Sequence, residues 1–135
     1  MNANELSNLA IAIVDDEVDL LEMLQRILVD RGASVTTFSA SSDFLESLDD
    51  LVFDLLIVDI IMPGHDGLEI TREVRRRKPK AAILAFSGGG QHFGAAIGLR
   101  AAEAVGADAV AYKPIAPATL VELVKTLVAR NNASR

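Results

Sequence analysis

The chain has no cysteine and no tryptophan, and only 2 histidines and 4 prolines among 135 residues. Without cysteine neither a disulfide framework nor a thiolate metal site can form, and the composition suits a reducing, cytoplasmic compartment. Positive charge is scarce too. Thirteen Lys and Arg against 19 Asp and Glu leave a net charge of −6 and a pI near 4.8, which argues against nucleic acid or an anionic membrane surface as partner and favours cations and cationic protein faces. No apolar run is long enough to cross a bilayer: the longest are cut by Asp54 and Asp59, well short of the ~20 residues a span requires. Met1 to Asn8 is polar and lacks the basic flank and apolar core of a signal peptide. What is present is hydrophobic material, 50% of the residues, enough for one compact domain over 1–135 and too little for a second.

Short apolar runs alternate with longer segments of helical period. Leu9 to Val14, Ser34 to Phe38, Asp54 to Asp59, Ala82 to Ser87 and Ala109 to Tyr112 are too short for helices, and most are apolar on consecutive residues, the pattern of strands buried on both faces. Between them, Val18 to Arg31 places Leu20, Leu21, Leu24, Ile27 and Leu28 on one stripe before Gly32, a residue that readily takes a left-handed C-terminal position. Further helices are predicted from Ser41 or Ser42 as N-cap to Leu48, from Leu68 to Arg77 before Pro79, from about Ala95 to Val105 before Gly106, and from Ala118 to Ala129. Five βα units in succession predict an α/β fold, a parallel sheet with helices on both faces. The basic run Arg72, Arg75, Arg76, Arg77, Lys78 and Lys80 reads as a solvated helix end suited to the C-terminal dipole, and His65 and His92 fall in loops.

The chemistry gathers where the strands end. Asp15 and Asp16 follow the first strand, Asp59 the third, Ser87 the fourth and Lys113 the fifth. In open doubly wound sheets ligands bind outside the carboxyl ends of the strands. Two carboxylates about 5 Å apart repel by roughly 3 kcal/mol at an effective dielectric near 20, and a divalent cation relieves this directly. The donors are oxygens only, which favours Mg²⁺. Lys113 and the Ser87 hydroxyl can each hold a phosphoryl oxygen, and a carboxylate beside them can act as nucleophile toward phosphorus, the role assigned to Asp59. Each residue also has a plain structural use: Asp15 and Asp16 as helix caps, Asp59 as a turn former, Lys113 as an exposed edge residue.

Taken in order, Asp15-Asp16, Asp59 with Met62-Pro63-Gly64-His65-Asp66-Gly67, Ser87, and Lys113-Pro114 resemble the receiver domain of two-component response regulators, over about Leu9 to Ala129. The resemblance implies a CheY-like, flavodoxin-like fold with strand order 2-1-3-4-5 and a signalling switch rather than an enzyme. It implies Asp59 as phosphoacceptor, with Asp16 and the Ile61 carbonyl on Mg²⁺ and Asp15 assisting through water. Ser87 and Lys113 would hold the phosphoryl oxygens, helped by the backbone N–H groups of Ile61 and Gly88. A cis peptide before Pro114 would aim Lys113 into the site. The donor would be a sensor histidine kinase or a histidine phosphotransfer protein, and the output a downstream protein target. The last helix closes just before Arg135, so a stand-alone switch or phosphorelay intermediate without an output domain is expected.

Two positions depart from the family pattern. Receivers usually carry Tyr or Phe three residues before the lysine, and here that residue is Val110. The segment from Ser87 to Gly106 is longer than usual by roughly a helical turn and opens with Gly88, Gly89 and Gly90, so the expected switch element is the loop from Gly88 to Gly98 and the helix after it. Ile61 and Gly89 lie near the path of attacking water in the family, and an apolar Ile61 points to slow hydrolysis. Two other classes remain: a pseudo-receiver that keeps the fold without being phosphorylated, and an aspartyl-phosphate phosphatase similar to the haloacid dehalogenase-like family. The latter needs an Asp two positions after its nucleophile, where this chain has Ile61.

Overall fold

The computed structural model describes residues 4–60, 66–87 and 100–133. Five strands and the helices between them alternate along the chain: β1 (Ala10–Val14), α1 (Val18–Val29), β2 (Ser34–Phe38), α2 (Ser41–Ser47), β3 (Leu55–Asp59), α3 (Gly67–Arg77), β4 (Ala82–Ser87), a helical segment α4 whose described part is 100–104, β5 (Ala109–Tyr112) and α5 (Pro117–Ala133). All four strand pairings are parallel and the sheet order is β2-β1-β3-β4-β5. This is the doubly wound α/β fold expected from the alternation of apolar runs and helical stripes.

Side-chain alternation along the strands divides the core in two. Ile11, Ile13, Leu55, Ile57, Leu84 and Phe86 face α1 and α5, meeting Leu21, Leu24, Leu28, Leu120 and Val124. The residues between them, Ala12, Val14, Leu56, Val58, Ile83 and Ala85, face α2 and α3 and meet Phe44, Ile70 and Val74. Because β3 and β4 are covered on both sides, every one of their residues is buried. Each large apolar side chain so enclosed contributes about 1.5–3 kcal/mol relative to exposure.

Several element ends differ from the sequence pattern for local reasons. Helix α1 stops at Val29 rather than Arg31. Gly32 takes φ +102° and donates its N–H to Val29 O at 2.9 Å, so the left-handed residue lies where expected but closes a longer exit turn. Asp54 precedes β3 instead of opening it: its carboxylate accepts the Ala10 N–H at 2.9 Å, and its own backbone bonds Ala10 and Ala82. Neither Ser41 nor Ser42 caps α2. Ala40 holds the N-cap position with no side-chain bond, and Ser41 is already helical and buried. Helix α3 has a true side-chain cap, with Asp66 Oδ1 accepting the Glu69 N–H at 2.9 Å. Helix α5 starts one residue earlier than expected, at Pro117, and runs on to Ala133.

Candidate functional site

The carboxyl ends of β1, β3, β4 and β5 meet at one edge of the sheet. Since β3 lies between β1 and β4, Asp59 is central. Asp15 continues β1, its N–H donating to Phe38 O at 3.1 Å. Ser87 closes β4 fully buried, and its carbonyl accepts the Lys113 N–H at 2.8 Å, which fixes the backbone from which the lysine springs. The Lys113-Pro114 peptide is cis.

Lys113 is the hub. Its Nζ lies 2.7 Å from Asp15 Oδ2, 3.1 Å from Glu17 Oε1 and 3.2 Å from Asp59 Oδ2. Asp15 and Asp59 are almost wholly buried, at 2% and 5% exposure, whereas the Glu17 side chain is 61% exposed. Burial pushes the Lys113 ammonium toward neutrality, but hydrogen bonding to Asp15 and the charges of Asp15 and Asp59 outweigh it and hold its pKa above the usual lysine range. Asp15 is further fixed by its other oxygen, Oδ1, which accepts the Glu17 N–H at 2.9 Å.

The structure therefore brings Asp15, Asp59 and Lys113 together, with the backbone of Ser87 tied to Lys113. Asp16 is exposed. Among the described residues the acidic group whose ligand atoms all lie within 4.8 Å of one another is Asp15, Glu17 and Asp59. Glu17 was not singled out from the sequence. Its N–H bonds Asp15 Oδ1 and its carboxylate reaches the same ammonium, a local turn after β1 that no residue pattern in the sequence announces. Three carboxylates against one ammonium leave a formal local charge of −2, and an all-oxygen donor set of that charge fits Mg²⁺. Ile61, Gly88, Gly89, Gly90, His65 and His92 lie outside the described residues.

Gly67 builds the site from below. A Cβ added there would lie 2.1 Å from Asp59 O, 2.6 Å from Ile60 Cα and 2.8 Å from Asp59 C. The N-terminus of α3 is thus pressed directly against the backbone of Asp59, joined by a 2.9 Å hydrogen bond from Gly67 N–H to Ile60 O. Val110, at the position where an aromatic was expected, is half-buried and packs in the α2/α3 core, while Tyr112, in register with Ser87, is exposed.

A family model for the response regulator receiver domain matches residues 11–125. The chain belongs to the response regulator receiver domain family. The alkaline phosphatase synthesis transcriptional regulatory protein PhoP of Bacillus subtilis (strain 168) is 30% identical over 124 residues, 92% of this chain and 50% of that protein. The protein PetR of Rhodobacter capsulatus is 33% identical over 118 residues, 87% of this chain and 48% of its own length. The receiver thus spans half or less of these relatives. Among solved structures, a response regulator receiver domain protein of Clostridium thermocellum superposes with a TM-score of 0.84 at 25% identity, covering 94% of this chain and 99% of the other. Receiver domains are signalling switches rather than turnover enzymes, and in this one no helix among the described residues is long and apolar enough to cross a membrane.

Proposed function

We propose that this receiver is a Mg²⁺-dependent switch that accepts a phosphoryl group on Asp59. The reading is carried by the Lys113 ammonium held at 3.2 Å from Asp59 Oδ2 inside a pocket that also contains Asp15. In the reaction an Asp59 carboxylate oxygen attacks phosphorus, the bond from phosphorus to a donor phosphohistidine nitrogen breaks, and the imidazole leaves with a proton from solvent. Mg²⁺ held by the carboxylates would supply positive charge to the transferring oxygens. Lys113 would hold one phosphoryl oxygen, and the Ser87 hydroxyl and the N–H groups of Ile61 and Gly88 the rest. Asp16, Asp59 and the Ile61 carbonyl would be the direct ligands, with Asp15 assisting through water. The donor is a sensor histidine kinase or histidine phosphotransfer protein in the cytoplasm. The output is a change of protein partner or onward phosphoryl transfer.

Incubation with acetyl phosphate and Mg²⁺, read by intact mass, tests this. One phosphoryl adduct that disappears in Asp59→Ala and without Mg²⁺ is the expected result. No adduct on wild-type protein refutes phosphorylation and leaves an interaction module, whereas continuous phosphate release without a stable adduct indicates turnover.

A further inference from the structure

An ammonium has three N–H donors, and three carboxylate oxygens crowd the Lys113 Nζ at 2.7, 3.1 and 3.2 Å. A lysine so surrounded has to loosen one of these contacts to take a phosphoryl oxygen when the site is loaded. The three contacts are not equivalent. Asp15 and Asp59 are buried, and taking the lysine away from either leaves a charge without compensation in a place water reaches poorly. Glu17 has 61% of its side chain in solvent, where water replaces an ion-pair partner at small cost. Its backbone stands at the N-terminus of α1, so its carboxylate stays favourably placed near the positive end of the helix after letting go.

We propose that Glu17 is a positioning residue that holds the third donor of Lys113 while the site is empty and releases it to the incoming phosphoryl group. This rests on Asp59 being the phosphoacceptor. Glu17 acts through the lysine. It delays loading because its charge both occupies the ammonium and repels the dianionic donor, and it leaves for solvent once a phosphoryl oxygen takes its place.

Glu17→Gln removes the charge and keeps the shape. Because the side chain is mostly exposed, wild type and variant should unfold at the same urea midpoint. In ¹⁵N-labelled, ion-free protein the ammonium resonance of Lys113, assigned with Lys113→Met, should shift and exchange faster with water in Glu17→Gln. On addition of Mg²⁺ and beryllofluoride, a phosphoryl mimic, the difference should close. At saturating Mg²⁺ the variant should form the acetyl phosphate adduct about three- to tenfold faster, the size expected when one exposed charge near an approaching dianion is removed. Superimposable Lys113 signals in the ion-free proteins overturn the inference, as does a difference that persists in the beryllofluoride complex or an adduct rate that does not rise. If wild type takes no phosphoryl group, phosphorylation of Asp59 and the role of Glu17 fall together. If wild type is phosphorylated and the variant behaves identically, only the role of Glu17 falls.

Discussion

Replacing Gly67 with alanine tests whether the strand carrying Asp59 and the start of α3 are as tightly joined as the geometry says. The added Cβ would stand 2.1 Å from Asp59 O, and real Cβ atoms essentially never approach within 3.0 Å, so at least 0.9 Å, the difference, has to open. The backbone angles of Gly67 are not the difficulty, since its φ is not in the left-handed region. The difficulty is that neither side can yield cheaply. Asp59 lies in the middle strand, and the next residue's N–H bonds Phe86 O at 2.9 Å. Helix α3 is held by the Asp66 cap and by Thr71 Oγ1 donating to Gly67 O at 2.7 Å. If the helix retreats, the bond from Gly67 N–H to Ile60 O is lost, about 1 kcal/mol; overpacking strain adds about 1–3 kcal/mol. The expected loss is therefore about 2–4 kcal/mol in urea unfolding, with an unchanged m-value. If Asp59 moves instead, it leaves the 3.2 Å contact with Lys113, and adduct formation with acetyl phosphate should fall by more than the unfolded fraction explains. A Gly67→Ala protein within about 0.5 kcal/mol of wild type and phosphorylated at the same rate would refute the close approach.

Lys113→Met should destabilise the ion-free protein by about 3–5 kcal/mol, because it leaves Asp15 and Asp59 facing each other without a counter-charge, and Mg²⁺ should raise its melting temperature more than that of wild type; equal Mg²⁺ effects would show that ion and ammonium do not share these carboxylates. The raised pKa of Lys113 also sets a pH dependence. A folded-state value above the unfolded 10.5 means that the stabilisation is fully present below 10.5 and is lost as pH rises through the folded value. Wild type should thus lose its stability advantage over Lys113→Met as pH rises above 10.5, and a difference that stays constant on that rise would contradict the sign. At the opposite end of the sheet, the Arg75 guanidinium donates to the carbonyls of Gly106, Pro79 and Ala81 and to Asp108 at 2.8–3.1 Å. Arg75→Met should cost about 2–4 kcal/mol in urea unfolding by stranding several acceptors at once, while leaving the acetyl phosphate adduct intact in the folded fraction.

Much of the fold was legible in the sequence because β3 and β4 are buried on both faces, so their apolar runs are continuous and cannot be mistaken for loops. Boundaries were less legible where tertiary contacts override local preference. At α2 two serines suggested a cap, yet the helix begins so that Phe44 can meet Phe38 edge-on, with ring centroids 5.3 Å apart, and aromatic burial outweighs a capping bond of about 1 kcal/mol. The role of Gly67 was hidden for a similar reason: a glycine in a turn motif suggests conformational freedom, and only coordinates reveal that it is the missing Cβ, 2.1 Å from Asp59 O, that matters.

The site itself was legible as a set of strand-end residues, but its charge balance was not. Counting Asp15, Asp16, Asp59 and Lys113 gives the same −2 as the observed group of Asp15, Glu17, Asp59 and Lys113, yet the two behave differently. In the former the third carboxylate stands apart from the lysine. In the latter it competes for it. A divalent cation brings the observed group to neutrality, and converting the Asp59 carboxylate into an acyl phosphate adds up to about one further negative charge. Departure of Glu17 into solvent would remove one negative charge and return the pocket near neutrality without moving either buried carboxylate. On the proposed phosphorylation, an exposed acid beside two buried ones would let such a site change its charge while its interior ion pairs, the costly ones to disturb, remain in place.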